Sequence, residues 1–226
     1  MVKIRLRFTK GGKLRFIGHL DFLKVFQQSI GRAKLPVAYS QGFNPHMLLS
    51  FALPLPLGMT SENDYADLTL EKEMPEGEII SRLNAHGPDG LIVTGAQEFS
   101  GPGAAAIVMA ADYVFPAGLL DGSASPAEDI IKALLARESI VIPKKTKSGV
   151  KDTDIRSDIL GISVTDRHIL MRLAAGSARF LNPLIVAGQL LGRDACPSDI
   201  TRAELYRRTC DDKGTGVVPL YEASVN

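Results

Sequence analysis

Apolar and basic side chains alternate strictly at the start of the chain. Ile4, Leu6 and Phe8 share one face of an extended segment, and Arg5 and Arg7 share the other. A period of two is typical of a half-buried strand. The pattern therefore predicts a strand over residues 3–9, whose basic face is either exposed to solvent or lines a groove.

The period changes to that of a helix after Gly18. Apolar positions recur at steps of three and four, at Phe22, Leu23, Phe26, Ile30 and Ala33. This spacing is typical of one face of an amphipathic helix. Gly18 is a suitable N-cap, Asp21 falls in the first turn, where a carboxylate is favourable, and Pro36 ends the run.

Further along, the pattern predicts one order of elements twice. The first set comprises the strand and helix above, an extended, irregular segment over 37–53, strands over 64–71 and 91–99, and a helix over 75–85. The second set comprises strands over 111–115, 139–143 and 200–208, helices over 125–137 and 182–191, and a hairpin over 159–173. The arginines of the last strand are expected on its exposed side.

We therefore predict an α+β protein with two ferredoxin-like (βαββαβ) halves packed together. The linker Gly101-Pro102-Gly103 is the predicted boundary. It divides the chain into an N-terminal half, residues 1–103, and a C-terminal half, residues 104–226.

Charge is distributed unevenly along a chain whose formal net charge is only +1. Residues 1–50 contain nine Lys and Arg against the single Asp21, whereas residues 51–100 contain two against nine Asp and Glu. A basic patch attracts phosphate backbones, and an acidic neighbour limits non-specific binding. Two oppositely charged, merely solvated faces are the alternative interpretation.

A loop that contains glycine and proline follows the first helix. Its sequence is Tyr39-Ser40-Gln41-Gly42-Phe43-Asn44-Pro45-His46. Gly42 permits a positive φ, and Pro45 pushes Asn44 toward an extended conformation. Aromatic rings beside amides and cations suit single-stranded RNA, whose bases stack and expose their edges. The alternative is a structural loop whose aromatic residues fill the core.

His19, Asp21, Asn44 and His46 are expected to meet at one edge of the sheet. His19 and His46 are the candidate general acid and base, with Asp21 orienting His19. The alternative is a helix start, in which His19 is half-buried and Asp21 supports the cap.

Together with several other segments of the chain, these residues resemble the radical-SAM-linked protein family. The matching positions are Arg15-Phe16, 19–21, Leu35-Pro36, 38–46, 50–58, 151–156, 175–177 and 200–206. Gly18 stands where the family usually has Ser. The family is a bacterial domain of unknown function, found alone or fused behind a radical SAM domain, and it often neighbours ribonuclease E/G-type genes. The resemblance implies a radical SAM protein as a partner and implies no settled activity.

Several classes of function are not expected. The chain lacks the three closely spaced cysteines of a radical SAM cluster, a Walker loop, a dinucleotide fingerprint and a zinc motif. Neither cofactor nor metal is predicted. The charged start MVKIRLRF and the absence of a long apolar run predict a cytoplasmic protein with no membrane contact.

Three functions stay open. The first is an RNA-binding accessory protein that presents tRNA or ribosomal RNA to a radical SAM modifying enzyme or an RNA-processing enzyme. Its candidate RNA-binding residues are Arg5, Arg7, Lys10, Lys13, Arg15, Tyr39, Gln41, Phe43, Asn44, Lys144, Lys145 and Lys147. The last three lie in a basic loop that either contacts phosphates or is only solvated.

The second function is an RNA-cleaving or RNA-modifying enzyme that uses His19 and His46. The third is a protein-interaction scaffold for a radical SAM partner. The scaffold hypothesis predicts an exposed apolar patch near residues 51–57.

Overall fold

The computed structural model describes residues 1–120, 126–146, 149–165, 167–177, 179–211 and 214–221. These residues form a mixed α+β fold with a large, mostly antiparallel sheet and five α-helices. Within them, no helix has the length and apolar character that a membrane crossing requires.

The first part of the chain contributes four strands and two helices. The strands are β1 (Val2–Lys10), β2 (Leu49–Phe51), β3 (Thr60–Leu70) and β4 (Leu91–Glu98). The helices are α1 (His19–Arg32), with Gly18 as N-cap, and α2 (Glu76–His86). The strands lie in the order β4-β1-β3-β2, and every pair is antiparallel.

The second part begins with the short helix α3 (Ala104–Ile107). The other helices are α4 (Ala127–Leu135) and α5 (Pro183–Leu191). The strands are β5 (Val108–Pro116), β6 (Val141–Thr146), β7 (Gly149–Asp154), β8 (Ile159–Val164), β9 (His168–Ala174), β10 (Thr201–Asp211) and β11 (Gly214–Pro219). The order β10-β5-β9-β8 is again antiparallel throughout, and β6 pairs with β7 in a separate two-stranded sheet.

Helices cover one face of the large sheet. Leu6 and Phe8 of β1 pack with Phe26 of α1 and Leu83 of α2 in one buried cluster. A second cluster joins the apolar positions of β5, β9 and β10 to α4 and α5. Alternating positions on the same strands, such as Arg5 and Arg172, therefore lie on the opposite face, which the four longer helices leave uncovered and which we call the helix-free face. The short helix α3 borders this face, where the Ala104 N–H donates to Asp67.

Strands β3 and β10 join the two parts into one nine-stranded sheet. Their pairing is parallel and short, with Thr60 opposite Thr201 and Ser61 opposite Arg202. The Oγ1 atoms of Thr60 and Thr201 lie 2.7 Å apart, and the Asn63 side chain donates to the Ala203 carbonyl. These polar contacts hold the two parts in register at their closest approach.

A buried ion pair lies on the helix side of this junction. Arg202 is fully buried, and its guanidinium donates to Asp64 at 2.6 Å and to the carbonyls of Leu53 and Pro54. On the other side of the sheet, the Tyr65 hydroxyl donates to Glu204 at 2.6 Å. Burial raises the pKa of Glu204. Burial and the Glu204 carboxylate raise the pKa of Tyr65.

Beyond the junction, β3 and β10 diverge. The edge of β3 then pairs with β2, whereas the edge of β10 pairs with β11. The connecting segment 99–109 runs between the diverging strands, where α3 contacts both β2 and β3. The divergence therefore opens a cleft on the line where the two parts meet.

Most of the predicted elements are confirmed, with two corrections. The strand predicted over 139–143 contributes to the separate β6–β7 hairpin and not to the large sheet. The arginines predicted on the exposed side of the last strand include Arg202, which is fully buried because it is paired with Asp64. Strands β2, β7 and β11 and helix α3 were not predicted: β2 lies in the segment predicted to be extended and irregular, and Lys144, predicted in a basic loop, lies in strand β6.

Removing the Arg202 side chain should destabilise the protein strongly. Arg202→Met leaves the Asp64 carboxylate buried without its partner, and we expect a loss of about 3–5 kcal/mol in the free energy of unfolding. Urea denaturation of the full chain measures this loss. Arg193→Met, at an exposed position, is the matched control. Equal losses in the two variants would contradict a structural role for the pair.

Candidate functional site

Residues 39–47 form a small hairpin that projects from the sheet. Tyr39 bridges to Met47, and the Ser40 N–H donates to the His46 carbonyl at 2.9 Å. The Ser40 hydroxyl also lies 2.8 Å from His46 Nδ1. Gly42 has a φ of +130°, which makes the tight tip possible, and Phe43 is fully exposed there. The tip thus presents an aromatic ring on a constrained backbone.

The two candidate catalytic histidines lie at opposite ends of β2. His19 is half-buried, and its ring packs edge-to-face against Phe51, at the C-terminal end of that strand. His46 is exposed and precedes the N-terminal end of β2, where Ser40 holds it. Asp21 is exposed and pairs with Lys24 at 3.4 Å. The structure therefore does not bring the two imidazoles, or Asp21, onto one substrate atom.

Several of the candidate RNA-binding cations have partners within the fold. Arg5 is buried and pairs with Asp67 at 2.8 Å. Lys10 is 2% exposed, donates to the Ile17 carbonyl and lies 4.7 Å from the Phe22 ring centroid. Arg15 donates to the carbonyls of Gly58 and Ser198. The candidate cations between residues 5 and 15 thus do not form one continuous basic surface, because Arg5 and Lys10 are buried.

The other candidates are distributed over different surfaces. Lys13 and Lys144 are exposed, as are Tyr39, Gln41 and Asn44. Arg7 is half-buried under the ring of Tyr221. The side chain of Lys145 and the whole of Lys147 lie outside the described residues. Only part of the predicted set therefore shares one surface.

Three adjoining cavities follow the connecting segment between the two parts, and we call them the linker groove. The first, about 290 Å³, lies beside the 39–47 hairpin, and its lining includes Lys3, His46, Ser50, Phe99 and Gly103. The second, about 500 Å³, includes Arg5, Gln97, Phe99, Pro102, Ile107, Arg207 and Arg208. The third, about 430 Å³, includes Ile107, Gly176, Arg179 and Arg208.

Shared residues make the groove continuous. Phe99 lines both the first and the second cavity, and Ile107 and Arg208 line both the second and the third. Lys3 and Arg208 are exposed cations along this path, whereas Arg5 is neutralised by Asp67 and Arg179 by Asp158. An elongated anion that follows the groove therefore meets exposed positive charge near both ends of the central cavity, whose lining also contains the exposed carboxylate of Glu98.

Arginine–aromatic stacks accompany the groove on the helix-free face. The guanidinium of Arg5 lies 4.4 Å from the Phe99 centroid, that of Arg7 lies 4.8 Å from Tyr221, and that of Arg172 lies 4.3 Å from Tyr206. Asp112 accepts from both Arg172 and the Tyr206 hydroxyl at 2.8 Å, and burial together with this carboxylate raises the pKa of Tyr206 to about 12. Carboxylates thus fix two of these pairs, Asp67 through Arg5 and Asp112 through Arg172, whereas Arg7 donates to the Thr94 hydroxyl.

Sequence reasoning missed most of the groove. Lys3, Phe99 and Arg208 are distant in the chain. The pairing of β1 with β4 places Phe99 beside Lys3, where the Phe99 N–H donates to the Lys3 carbonyl, and the divergence of β3 and β10 extends the groove to Arg208. The sequence held a weak signal, because Phe99 lies two residues before the Gly-Pro-Gly linker and Lys3 shares the alternation of Arg5 and Arg7. In the described part of the chain, no group of three or more His, Cys, Asp and Glu could hold a metal ion.

Comparison with protein families identifies the chain as a family member. Residues 3–183, about four fifths of the chain, match the family described as an uncharacterized protein conserved in bacteria, DUF2344. The protein therefore belongs to this family. A comparison with curated proteins finds no match.

The buried ammonium of Lys10 should leave a signature in the pH dependence of stability. Burial lowers the pKa of Lys10 below its ordinary value of 10.5. Between the lowered folded pKa and 10.5, the unfolded chain binds more protons at this site, so this group makes stability rise with pH. In Lys10→Met that contribution is absent.

We expect the difference in unfolding free energy, Lys10→Met minus wild type, to decrease as pH rises toward 10.5. Urea titrations of both proteins over a series of pH values measure it. Lys13→Met, at an exposed neighbouring position, is the control. A difference that stays constant with pH would show that the Lys10 ammonium is as well solvated as Lys13.

Proposed function

We propose that this member of an uncharacterized bacterial family is an RNA-binding protein that serves as an accessory to an RNA-modifying or RNA-processing enzyme. The observation that carries the proposal is the linker groove, a continuous path that combines exposed cations with an aromatic ring and arginine stacks. Proteins that bind single-stranded nucleic acids combine the same two elements, a positive groove and planar side chains on which bases stack.

The position of the groove supports this use. Ligand sites occur preferentially where domains meet, and this groove follows the segment that connects the two parts of the chain. The 39–47 hairpin stands beside its first cavity, since His46 and Met47 belong to that lining. The exposed ring of Phe43 at the hairpin tip extends the aromatic surface beyond the groove.

The partner in this proposal is a radical SAM protein, with tRNA or ribosomal RNA as the ligand. Its support is the resemblance of the 15–58 region to the radical-SAM-linked protein family. The proposal places the protein in the cytoplasm, where an exposed free thiol such as Cys196 stays reduced.

The two alternative functions have less support. An enzyme that uses His19 and His46 together needs both imidazoles at one reacting group, and they lie at opposite ends of β2 with different partners. A scaffold with an apolar patch near 51–57 needs those side chains exposed. Ala52, Leu53 and Leu55 are buried, and Pro54 and Leu57 are exposed but separated by the buried Leu55.

We further propose that the two parts are ferredoxin-like halves divided near residues 101–103. The strand orders β4-β1-β3-β2 and β10-β5-β9-β8 have the same pattern when each part is numbered from its own first strand. Two helices cover one face in each part. The β6–β7 hairpin is then an insertion between the first helix and the second strand of the C-terminal half.

RNA affinity should depend on salt through the groove cations. Each phosphate contact to a single strand contributes about 0.7 to the slope of log K against log salt. The double variant Lys3→Gln/Arg208→Gln should therefore bind single-stranded RNA more weakly and reduce the slope by about 1.4, if each cation contacts one phosphate. Fluorescence anisotropy with a labelled oligonucleotide at several salt concentrations measures both quantities.

The control removes one arginine charge and one lysine charge from the helix-covered side. Arg32 and Lys132 are exposed on α1 and α4, so Arg32→Gln/Lys132→Gln should leave the slope unchanged. Equal effects of the two double variants would argue for diffuse electrostatic attraction instead of a groove. Absence of binding to any RNA at low salt would refute the proposed function.

A further inference from the structure

We infer that the central cavity of the linker groove holds the base of one unpaired nucleotide, so that the ligand is RNA with unpaired positions and not a continuous duplex. This inference rests on the proposed function and adds to it the structural class of RNA. It depends on the Arg5–Phe99 pair and on the cations to either side of it.

The size of the central cavity suits a nucleobase. Its volume of about 500 Å³ exceeds those of the two flanking cavities, and it lies within the range of about 300–1,000 Å³ that is typical of small-molecule sites. The flanking cavities adjoin it through Phe99 on one side and through Arg208 on the other. A chain that follows the groove must therefore pass this cavity.

The Arg5–Phe99 pair forms a preorganised surface for stacking. The Arg5 guanidinium is held by Asp67 through two bonds of 2.8 and 3.1 Å, and it lies 4.4 Å from the centroid of Phe99. Phe99 is only partly buried and contributes to two cavity walls. Unstacked bases bind to aromatic rings and to arginine planes, and here neither plane has to be ordered when the base arrives.

Polar groups are available for the edge of the base. Gln97 lies opposite Arg5 in the β1–β4 pair, so both side chains are on the helix-free face. The Gln97 amide supplies one donor group and one acceptor group to the cavity. Lys3, in the first cavity, and Arg208, at the boundary with the third, are the exposed cations for the phosphates that precede and follow the inserted nucleotide.

A continuous duplex cannot use this cavity without extruding a base. Extrusion costs a few kcal/mol for a paired base and least for a base that is already unpaired. The cavity should therefore discriminate between a perfect stem and the same stem with one unpaired nucleotide. The phosphate contacts alone provide little such discrimination, because the bulge adds only one phosphate to an otherwise identical backbone.

The test compares two labelled hairpin RNAs, a fully paired stem and the same stem with a single-nucleotide bulge, by fluorescence anisotropy with the full chain. Wild type should bind the bulged stem more tightly. Phe99→Ala and Phe99→Leu should weaken binding to the bulged stem by about 5- to 150-fold, the range that corresponds to about 1–3 kcal/mol per stacked base. The preference for the bulged stem over the paired stem should fall accordingly in both variants, and Phe99→Tyr should restore the preference because it keeps the ring.

Phe16→Ala is the matched control. Phe16 is exposed and also lies beside an arginine, Arg15, at 5.7 Å, but it is outside the groove. Phe99→Leu keeps an apolar side chain without a planar ring, so it separates loss of stacking from loss of packing, and thermal melting verifies that each variant is folded.

The outcomes distinguish the inference from the function on which it rests. RNA binding with equal affinity for both stems, or a preference that Phe99→Leu leaves intact, overturns the base pocket while the RNA-binding function stands. Absence of binding to either stem and to single-stranded RNA at low salt overturns both.

Discussion

The pairing of β3 with β10 determines the rest of this structure. It is the parallel contact that joins two antiparallel sheets, and only two residue pairs form its ladder. So short a ladder contributes few hydrogen bonds, and side chains supply the remaining contacts. Arg202 donates to Asp64 on the helix side of the sheet, and Tyr65 donates to Glu204 on the other side. The hydroxyls of Thr60 and Thr201 form a hydrogen bond between the two strands.

The buried ion pair favours one arrangement over others more than it adds net stability. Desolvating two charges costs about as much as their attraction returns, whereas leaving one of them alone in the interior is strongly unfavourable. Arg202 also satisfies the carbonyls of Leu53 and Pro54, which belong to the segment before β3. A shifted register would leave Asp64 and both carbonyls without this donor, and so the pair specifies how the two parts fit together. The same constraint creates the linker groove, because strands that meet at two residue pairs and then diverge leave room between them.

Local pattern predicted most of the elements but not the site. The alternation of Ile4, Leu6 and Phe8 and the helical spacing after Gly18 are short-range signals, and each element formed where they occur. The position of Arg5 illustrates the limit of such signals. Its place on the polar face of β1 follows from the alternation, but its burial follows from Asp67, 62 residues later, and from Phe99. From local alternation alone, a basic residue on a strand is therefore predicted to be exposed, and its burial can be predicted only when its partner across the sheet is known.

The candidate histidines and the groove show the same difference between what local sequence signals indicate and what long-range geometry determines. His19 and His46 both stand out in the sequence, but their separation depends on β2, a strand of only three residues that the local pattern left as an irregular stretch. Phe99 lies beside Lys3 because β4 pairs with β1, and the groove continues to Arg208 because β10 diverges from β3. Both are properties of the strand order and not of any one segment. Function that resides in long-range geometry is not visible in local motifs.

The sequence distance between Asp64 and Arg202 also constrains how the protein is made. The two residues are 138 positions apart, so the ribosome synthesises the whole first sheet long before Arg202 emerges. Until then, a nascent N-terminal part presents the unpaired edge of β3 and an Asp64 without its guanidinium. Domains generally fold as units from the N-terminus, and unpaired strand edges favour misassembly. Strand β10 pairs with both β3 and β5, so neither part of the sheet has all of its strand pairs until β10 has been synthesised.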